Sequence, residues 1–325
     1  MKRDSLEMTQ IILIGIAAGA ATALLFASLA SGALLSVVLF YLAPLPIMIA
    51  ALGWSHWSGL IGAFSASAGL ALVFGSSFFP TFLVGIGAPA WWLGYLALLA
   101  RPAAANNSVE WYPPGRLVLW SAIIGALVVV AAIAHFGFDQ QSFQAALRHA
   151  FEQLLELQPD TGADKDATDR TQVVNVLVLV VPPAAAVVWT ILLTLNLWLA
   201  GTIVRISGRL KRPWPNIRAM TFPTLTPALM VGTVMGSLLP DLAGVVSAIF
   251  AASLLMAYAL LGFAVLHAIT SHMKGRRVML AGTYSAVIVL GWPVLIMSLL
   301  GLADTALGLR VRLDMKRGPP PVPDP

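Results

Sequence analysis

The few polar or irregular residues inside long apolar runs are where this sequence could hold chemistry. Asn196 is the one strongly polar side chain well inside a long apolar run, and Pro44 and Pro46 interrupt another, APLPIMIAALGW. Each proline lacks a backbone donor and leaves carbonyl groups of the preceding turn in need of partners. Lipid supplies none. A helix here is therefore either kinked against its neighbours or broken where it lines a cavity.

Ionisable side chains at membrane depth would point to ion coupling or catalysis, because they are costly there. The stretch from Met8 to Ala100 contains no Asp, Glu, Lys or Arg. The five His residues are scattered without metal-binding spacing, there is no Cys, and no Walker or dinucleotide-binding loop occurs. We therefore predict no catalytic residues, no metal, no cofactor and no enzymatic activity.

Aromatic residues add two candidates. Trp91 and Trp92 are adjacent near the end of an apolar run, where Trp commonly anchors a helix at the headgroup level; the alternative is stacking on a ligand. Asn196 likewise either donates an interhelical hydrogen bond or contacts a solute. If the protein binds a solute, the first suspects are Pro44, Pro46, Trp91, Trp92 and Asn196.

The elements that would position these residues are membrane-spanning helices. Apolar residues make up 59% of the 325-residue chain and charged residues 10%, which is typical of an integral membrane protein in a lipid bilayer. The net charge of +5 reflects loop residues and does not indicate nucleic-acid binding. We predict an all-α polytopic bundle of eight or nine spans, at 11–30, 33–53, 57–76, 80–100, 117–138, 172–204, 222–240, 243–271 and 278–301.

Loop charges predict the topology. Lys2 and Arg3 place the N-terminus in the cytoplasm of a bacterial inner-membrane protein. The strongest signal is the loop RISGRLKRPWPNIR, which is either a topology signal or a contact for anionic lipid or a cytoplasmic partner; its cations are Arg205, Arg209, Lys211, Arg212 and Arg218.

We expect one integral membrane domain over 1–325, with N-terminal helices at 11–138 and C-terminal helices at 172–309. An acidic outer loop at 139–171 is predicted to carry an amphipathic surface helix, and a basic, proline-rich tail follows at 310–325. Nine full spans would separate Arg310 and Arg312 from the other basic loops. An even count with both ends in the cytoplasm is therefore preferred.

Small residues recur every fourth position in the first span, at Gly15, Gly19, Ala23 and Ala27. Such strips let two helix backbones approach closely. Gly232 and Gly236 form a second pair of this kind. The strips either pack the protein's own bundle or dock a separate membrane protein.

The chain resembles the YybS-like family of uncharacterised bacterial multi-pass membrane proteins. The resemblance rests on PLP with a following Gly at 44–53, the RPWP loop at 212–215 before Pro223, LLGFAVLHAIT at 260–270 and LGLADTALGLRVRLD at 300–314. The N-terminal half is similar to the substrate-binding S subunits of energy-coupling-factor vitamin transporters.

That similarity implies small-molecule uptake, with Gly15, Gly19, Ala23 and Ala27 docking a transmembrane coupling subunit. The sequence departs from S subunits in its greater length and its acidic outer loop. Two functions are therefore predicted: solute binding related to transport, or a membrane scaffold or assembly protein without transport activity. The partner would be a coupling subunit or a second copy of the chain.

Overall fold

A computed structural model describes residues 2–102, 109–136, 145, 148–149 and 167–312. Within the described residues the regular structure is helical, apart from one short antiparallel pair of strands, β1 (Ala100–Pro102) and β2 (Val109–Trp111). The helices are α1 Lys2–Ala27, α2 Leu34–Tyr41, α3 Pro44–Gly53, α4 His56–Phe74, α5 Phe78–Phe82, α6 Ala88–Ala97, α7 Pro114–Phe136, α8 Ala167–Ile206, α9 Thr226–Gly236, α10 Asp241–Ile269, α11 Arg276–Leu290 and α12 Pro293–Leu307.

The predicted all-α polytopic helical bundle is confirmed. Within the described residues, six helical segments are long and apolar enough to cross a membrane: Glu7–Ser31, Leu34–Gly53, His56–Phe74, Pro114–Ala134, Gln172–Ile206 and Asp241–Ile269. The amphipathic helix expected within 139–171 and the end of the tail after residue 312 lie outside the described residues.

Four expected spans are not single long helices. The segment 33–53 is divided between α2 and α3. The segment 80–100 consists of α5, a π-helical turn at Leu83–Gly87 and α6. The segment 222–240 contains only the 11 residues of α9. The segment 278–301 is divided between α11 and α12. Prolines at the starts of α6, α9 and α12 explain these short helices, because proline is accommodated in a first turn and poorly in an interior.

Contacts group the chain into two compact units. Unit 1 comprises Met1–Ile124 and Trp189–Pro215, and unit 2 comprises Gly125–Val188 and Asn216–Pro325. The divisions fall inside α7 and α8. The expected single domain, with its boundaries at 138 and 172, stays a prediction.

Unit 1 is built on the close approach of α1 and α4. A Cβ atom added to Gly15 would lie 2.7 Å from Ile61 Cβ, and one added to Gly19 would lie 2.7 Å from the Gly62 carbonyl oxygen. Since later residues of α1 meet later residues of α4, the two helices are parallel. The small residues therefore bring these backbones into direct contact.

Unit 2 repeats this arrangement with α10 and α12. A Cβ atom on Gly301 would lie 2.9 Å from the Gly262 nitrogen. Ser298 Oγ donates a 2.8 Å hydrogen bond to the Leu255 carbonyl. Ile269 at the end of α10 and Asp304 and Thr305 at the end of α12 line one cavity, so the two helices are parallel and end on the same side of the unit.

The segment 276–307 is consequently a helical hairpin and not the single span expected over 278–301. α11 leaves the side on which α10 ends, the chain turns at Gly291 with φ of 72°, and α12 returns. Each helix has 15 residues, or about 22 Å, which is shorter than the roughly 30 Å hydrocarbon core. The C-terminal cation Arg310 thus lies on the same side as Arg218, whose carbonyl it binds.

The α1–α4 contact can be tested by adding one methyl group. Gly19→Ala should lower the free energy of unfolding by about 1–3 kcal/mol, because the new Cβ meets the backbone of α4 and forces the helices apart. Gly69→Ala is the matched control, since Gly69 in α4 has no atom within 4 Å of an added Cβ in the described structure. Thermal unfolding of detergent-solubilised protein measures both, and an equal effect would contradict this packing.

Candidate functional site

The break between α2 and α3 brings two of the predicted site residues together. Pro44 has no N–H, and the N–H of Leu45 donates to the Leu42 carbonyl, so neither serves the carbonyl of Tyr41. Asn196 Nδ2 supplies that missing donor from α8, at 2.9 Å. The side chain of Asn196 is fully buried. The helix is therefore broken and not merely kinked, and a neighbouring helix satisfies the released carbonyl.

Pro44 and Pro46 themselves lie in the first turn of α3. N–H groups in a first turn have no intrahelical acceptor, so two prolines there remove no helical hydrogen bond. Their arrangement positions the start of α3. It does not by itself show contact with a solute.

Asn196 has unused hydrogen-bonding capacity. Its Nδ2 donates to the carbonyls of Tyr41 and Leu192, but its Oδ1 is buried and has no partner in the described part of the chain. The same holds in unit 1 for Thr22 Oγ1, Ser58 Oγ and Trp91 Nε1. With Trp54 Nε1 and Arg212 Nε, six buried polar atoms of unit 1 lack a partner among the described residues, and each calls for an explanation.

Trp91 and Trp92 belong to an aromatic cluster. The ring of Trp91 stacks on Tyr95 with a centroid distance of 6.1 Å, and Trp92 packs edge-on against Trp120 at 5.7 Å. Trp120 Nε1 donates to the hydroxyl of Tyr112 at 3.0 Å. Trp92 therefore packs among the aromatic rings of unit 1, while Trp91 keeps one buried N–H without an acceptor.

Two cations of the 205–218 loop bind carbonyls where helices of unit 1 end. Lys211 Nζ donates to the Trp54 carbonyl at 3.1 Å, just after α3. Arg212 donates to the carbonyl of Ala97 at 3.0 Å and to that of Tyr112 at 3.3 Å. Positive charge is favourable at helix C-termini. Burial lowers the pKa of Arg212, but guanidinium remains charged in proteins.

The other cations of this loop are placed differently. The Arg209 guanidinium lies 4.5 Å from the ring centroid of Trp54, and that of Arg205 lies 4.4 Å from Trp214. Arg218 belongs to unit 2, where its side chain is exposed. Of the five predicted contact residues, four therefore belong to unit 1 and Arg218 to unit 2.

The predicted docking strips are mostly used for packing. α4 covers Gly15 and Gly19. Ala23 and Ala27 pack against a buried cluster of Ala66, Leu70, Phe82 and Ile86. Gly236 meets Ser247, whose Cβ lies 3.0 Å from an added Cβ, whereas Gly232 has open space around it in the described structure.

Unit 2 contains a charged pair that the sequence did not single out. Asp304 Oδ2 lies 2.6 Å from Arg310 Nη2, and the two side chains are 6% and 13% exposed. Arg310 also donates to the carbonyls of Arg218 at 2.6 Å and Met220 at 2.8 Å. This pair borders a cavity of about 510 Å³ lined in part by hydroxyl groups, those of Thr221, Thr224, Ser271 and Thr305.

The pair could have been anticipated from its spacing. Asp304 and Arg310 flank Gly308, a left-handed residue at the end of α12 with φ of 62°, which lets the chain turn back on the helix. The sequence pattern is an acidic residue in the last turn of an apolar helix, followed by a glycine and then a basic residue. This pattern predicts such a contact.

Residues 20–305 match the family described as "Predicted membrane protein (DUF2232)". The chain belongs to this family. The DUF2232 match includes Pro44, Asn196 and Asp304 and ends before Arg310. No curated protein and no solved structure matches the chain.

Membership of DUF2232 supports a multi-pass membrane protein, and the family description gives no activity. The YybS-like name and the similarity to S subunits stay predictions. So do the bacterial inner membrane and the cytoplasmic N-terminus.

The hydrogen bond from Asn196 can be tested by substitution. Asn196→Leu should lower the free energy of unfolding by about 1–3 kcal/mol, because the Tyr41 carbonyl is left buried without a donor. Thr194→Val is the control, since its hydroxyl bonds only the Thr190 carbonyl of its own helix, at 2.8 Å. Unfolding in detergent measures both. Equal stabilities of the two variants would rule out a structural role for this bond.

The charged pair of unit 2 makes a second prediction. Asp304→Ala should destabilise the protein by about 3–5 kcal/mol, because it leaves the guanidinium of Arg310 buried without its carboxylate. Arg312→Ala, which removes an exposed cation, should change stability by less than about 0.5 kcal/mol. Chemical unfolding of the purified variants would distinguish these results, and a mild effect of Asp304→Ala would mean that the pair is solvated.

Proposed function

We propose that unit 1 binds a small, uncharged polar solute within the bilayer. The observation that carries this proposal is the set of buried polar atoms without partners: Asn196 Oδ1, Thr22 Oγ1, Ser58 Oγ and Trp91 Nε1. A buried polar atom left unpaired costs roughly 1–3 kcal/mol. Proteins keep few of them, and those retained call for an explanation. Hydrogen bonds to a solute would supply one.

The atoms indicate the chemistry of the solute. The amide oxygen of Asn196 accepts, the indole N–H of Trp91 donates, and the hydroxyls of Thr22 and Ser58 can do either. A molecule with hydroxyl or amide groups has both functions. A charged solute would need an opposite charge, and residues 8–100, 117–124 and 189–204 of unit 1 contain no Asp, Glu, Lys or Arg.

The same absence of charge bears on transport. A proton- or sodium-driven carrier commonly uses a carboxylate at membrane depth, and these segments of unit 1 have none. Unit 1 would thus act as a binding component whose energy comes from another protein. Because α4 covers Gly15 and Gly19, a coupling subunit would dock elsewhere on the surface.

The alternative prediction, a scaffold without transport activity, needs a free docking face. Gly15 and Gly19 do not supply such a face, because α4 covers them. Gly232 has open space, but nothing around it identifies a partner. Solute binding is therefore the function that the described contacts support better.

The first test is a ligand panel. The purified chain in detergent is expected to unfold at a higher temperature with at least one uncharged, hydroxyl- or amide-bearing vitamin or metabolite, because ligand binding favours the folded state. Anionic and cationic compounds of similar size serve as controls. A broad panel without a single shift would reject the proposal.

A variant then locates the site. Thr22→Val replaces the unpartnered hydroxyl with a methyl group, so we expect it to leave the unliganded protein as stable or slightly more stable. It should reduce the shift produced by the ligand. Ser67→Ala is the control, because that buried hydroxyl is already satisfied by the Ala63 carbonyl at 2.7 Å. An unchanged ligand response in Thr22→Val, and also in Trp91→Phe, would place the solute elsewhere.

A further inference from the structure

We propose that the basic end of unit 1 binds the phosphate group of an anionic membrane lipid. The basic end is defined by Arg205, Arg209, Lys211 and Arg212, together with Trp54. It is separate from the buried atoms of Asn196 and Thr22, so this inference does not depend on the proposed solute site.

Uncompensated positive charge is the first observation. Of the two acidic side chains that the structure describes in unit 1, Glu110 is bound by Arg101 at 2.8 Å, and the other is Glu7. No ion pair to the four cations of the basic end is found among the described residues. Lys211 and Arg212 instead use neutral carbonyls. A diffusible or lipid-borne anion would balance them.

Unused donors are the second, independent observation. Arg212 Nε and Trp54 Nε1 are both buried and lack an acceptor in the described part of the chain. Both groups are donors only. Water could satisfy an exposed donor, but these two are shielded from solvent. An acceptor-rich group is what they lack, and a phosphate offers several oxygens to N–H donors.

Two of these cations and one of the unused donors lie together at Trp54. Arg209 lies over its ring at 4.5 Å, and Lys211 binds its carbonyl at 3.1 Å. The ring restricts the guanidinium of Arg209, and the ammonium of Lys211 keeps two N–H groups after its one carbonyl bond. A phosphate beside Trp54 would therefore meet two cations and one indole N–H.

The aromatic surroundings favour a lipid as the source of the phosphate. Indole rings concentrate at the level of the lipid headgroups, and Trp54 and Trp214 each carry an arginine over the ring. Basic residues gather on the cytoplasmic side, where anionic lipids attract them. The basic end thus fits a lipid phosphate in the cytoplasmic leaflet better than a free anion in water.

The experiment uses the full chain in a neutral detergent and follows its unfolding temperature. A short-chain phosphatidylglycerol, a phosphatidylcholine of equal chain length and inorganic phosphate are titrated separately. We expect stabilisation by phosphatidylglycerol at the lowest concentration. Equal effects of the two lipids would overturn the proposal. An equal effect of inorganic phosphate would overturn the assignment to a lipid, because the anion would then suffice without its acyl chains.

Two variants and a control locate the effect. Arg209→Gln should raise the phosphatidylglycerol concentration for half-maximal stabilisation about tenfold, as expected for the loss of one charge-assisted hydrogen bond. Trp54→Phe keeps an aromatic ring beneath Arg209 and removes the indole N–H, so it should raise that concentration about threefold. Trp54→Phe also serves as the test if Arg209→Gln does not fold.

Arg101→Gln is the matched control, since Arg101 already has a carboxylate partner, and its response to phosphatidylglycerol should be unchanged. If Arg101→Gln weakens binding as much as Arg209→Gln does, the lipid responds to overall charge and the proposed site is wrong. A lost solute response with an intact lipid response would instead reject only the function proposed above.

Discussion

Backbone carbonyls that lose their helical partners must find donors inside this protein, because lipid offers none. The Tyr41 carbonyl, released at the break between α2 and α3, receives Asn196. The carbonyls of Trp54 and Ala97 receive Lys211 and Arg212. In unit 2, Arg310 serves the carbonyls of Arg218 and Met220. One constraint therefore explains why polar side chains in this apolar chain stand where helices begin, break or end.

The second organising feature is the pairing of parallel helices through glycine. α1 meets α4 at Gly15 and Gly19, and α10 meets α12 at Gly262 and Gly301. Consecutive helices joined by short loops are antiparallel, so a parallel pair needs a returning segment between its members. α2 and α3 provide that return in unit 1, and α11 provides it in unit 2. The return in unit 1 is broken between α2 and α3, whereas the return in unit 2 is the single 15-residue helix α11.

The sequence predicted the class of this fold and several of its local structural features. Its composition indicated a helical membrane bundle. The prolines at 44 and 46 predicted either a kinked or a broken helix, and the structure has a break there. The interhelical hydrogen bond of Asn196 was one of two stated alternatives. Gly15 and Gly19 were recognised as a close-packing surface because they repeat every fourth residue, although sequence alone does not reveal which helix covers them.

Other features depend on tertiary contacts that a linear pattern does not encode. Gly262 and Gly301 lie on different helices, and neither has another glycine three or four residues away in the sequence. No repeating glycine pattern therefore predicted this contact. The Asp304–Arg310 pair forms only because Gly308 reverses the chain. Residues 278–301 were predicted to form one span because this apolar run is long enough to cross a bilayer. The turn at Gly291 instead divides the segment into two helices.

That hairpin has a consequence for how the chain enters the membrane. Arg310 and Arg312, with Lys316 and Arg317 beyond them, follow a segment that begins and ends on one face. Carrying one such cation through the centre of a bilayer costs about 2.5–3.5 kcal/mol on insertion scales. With α11 and α12 inserting as a closed loop, Arg310 and Arg312 stay on the face where α10 ends, and their charges do not have to cross the bilayer.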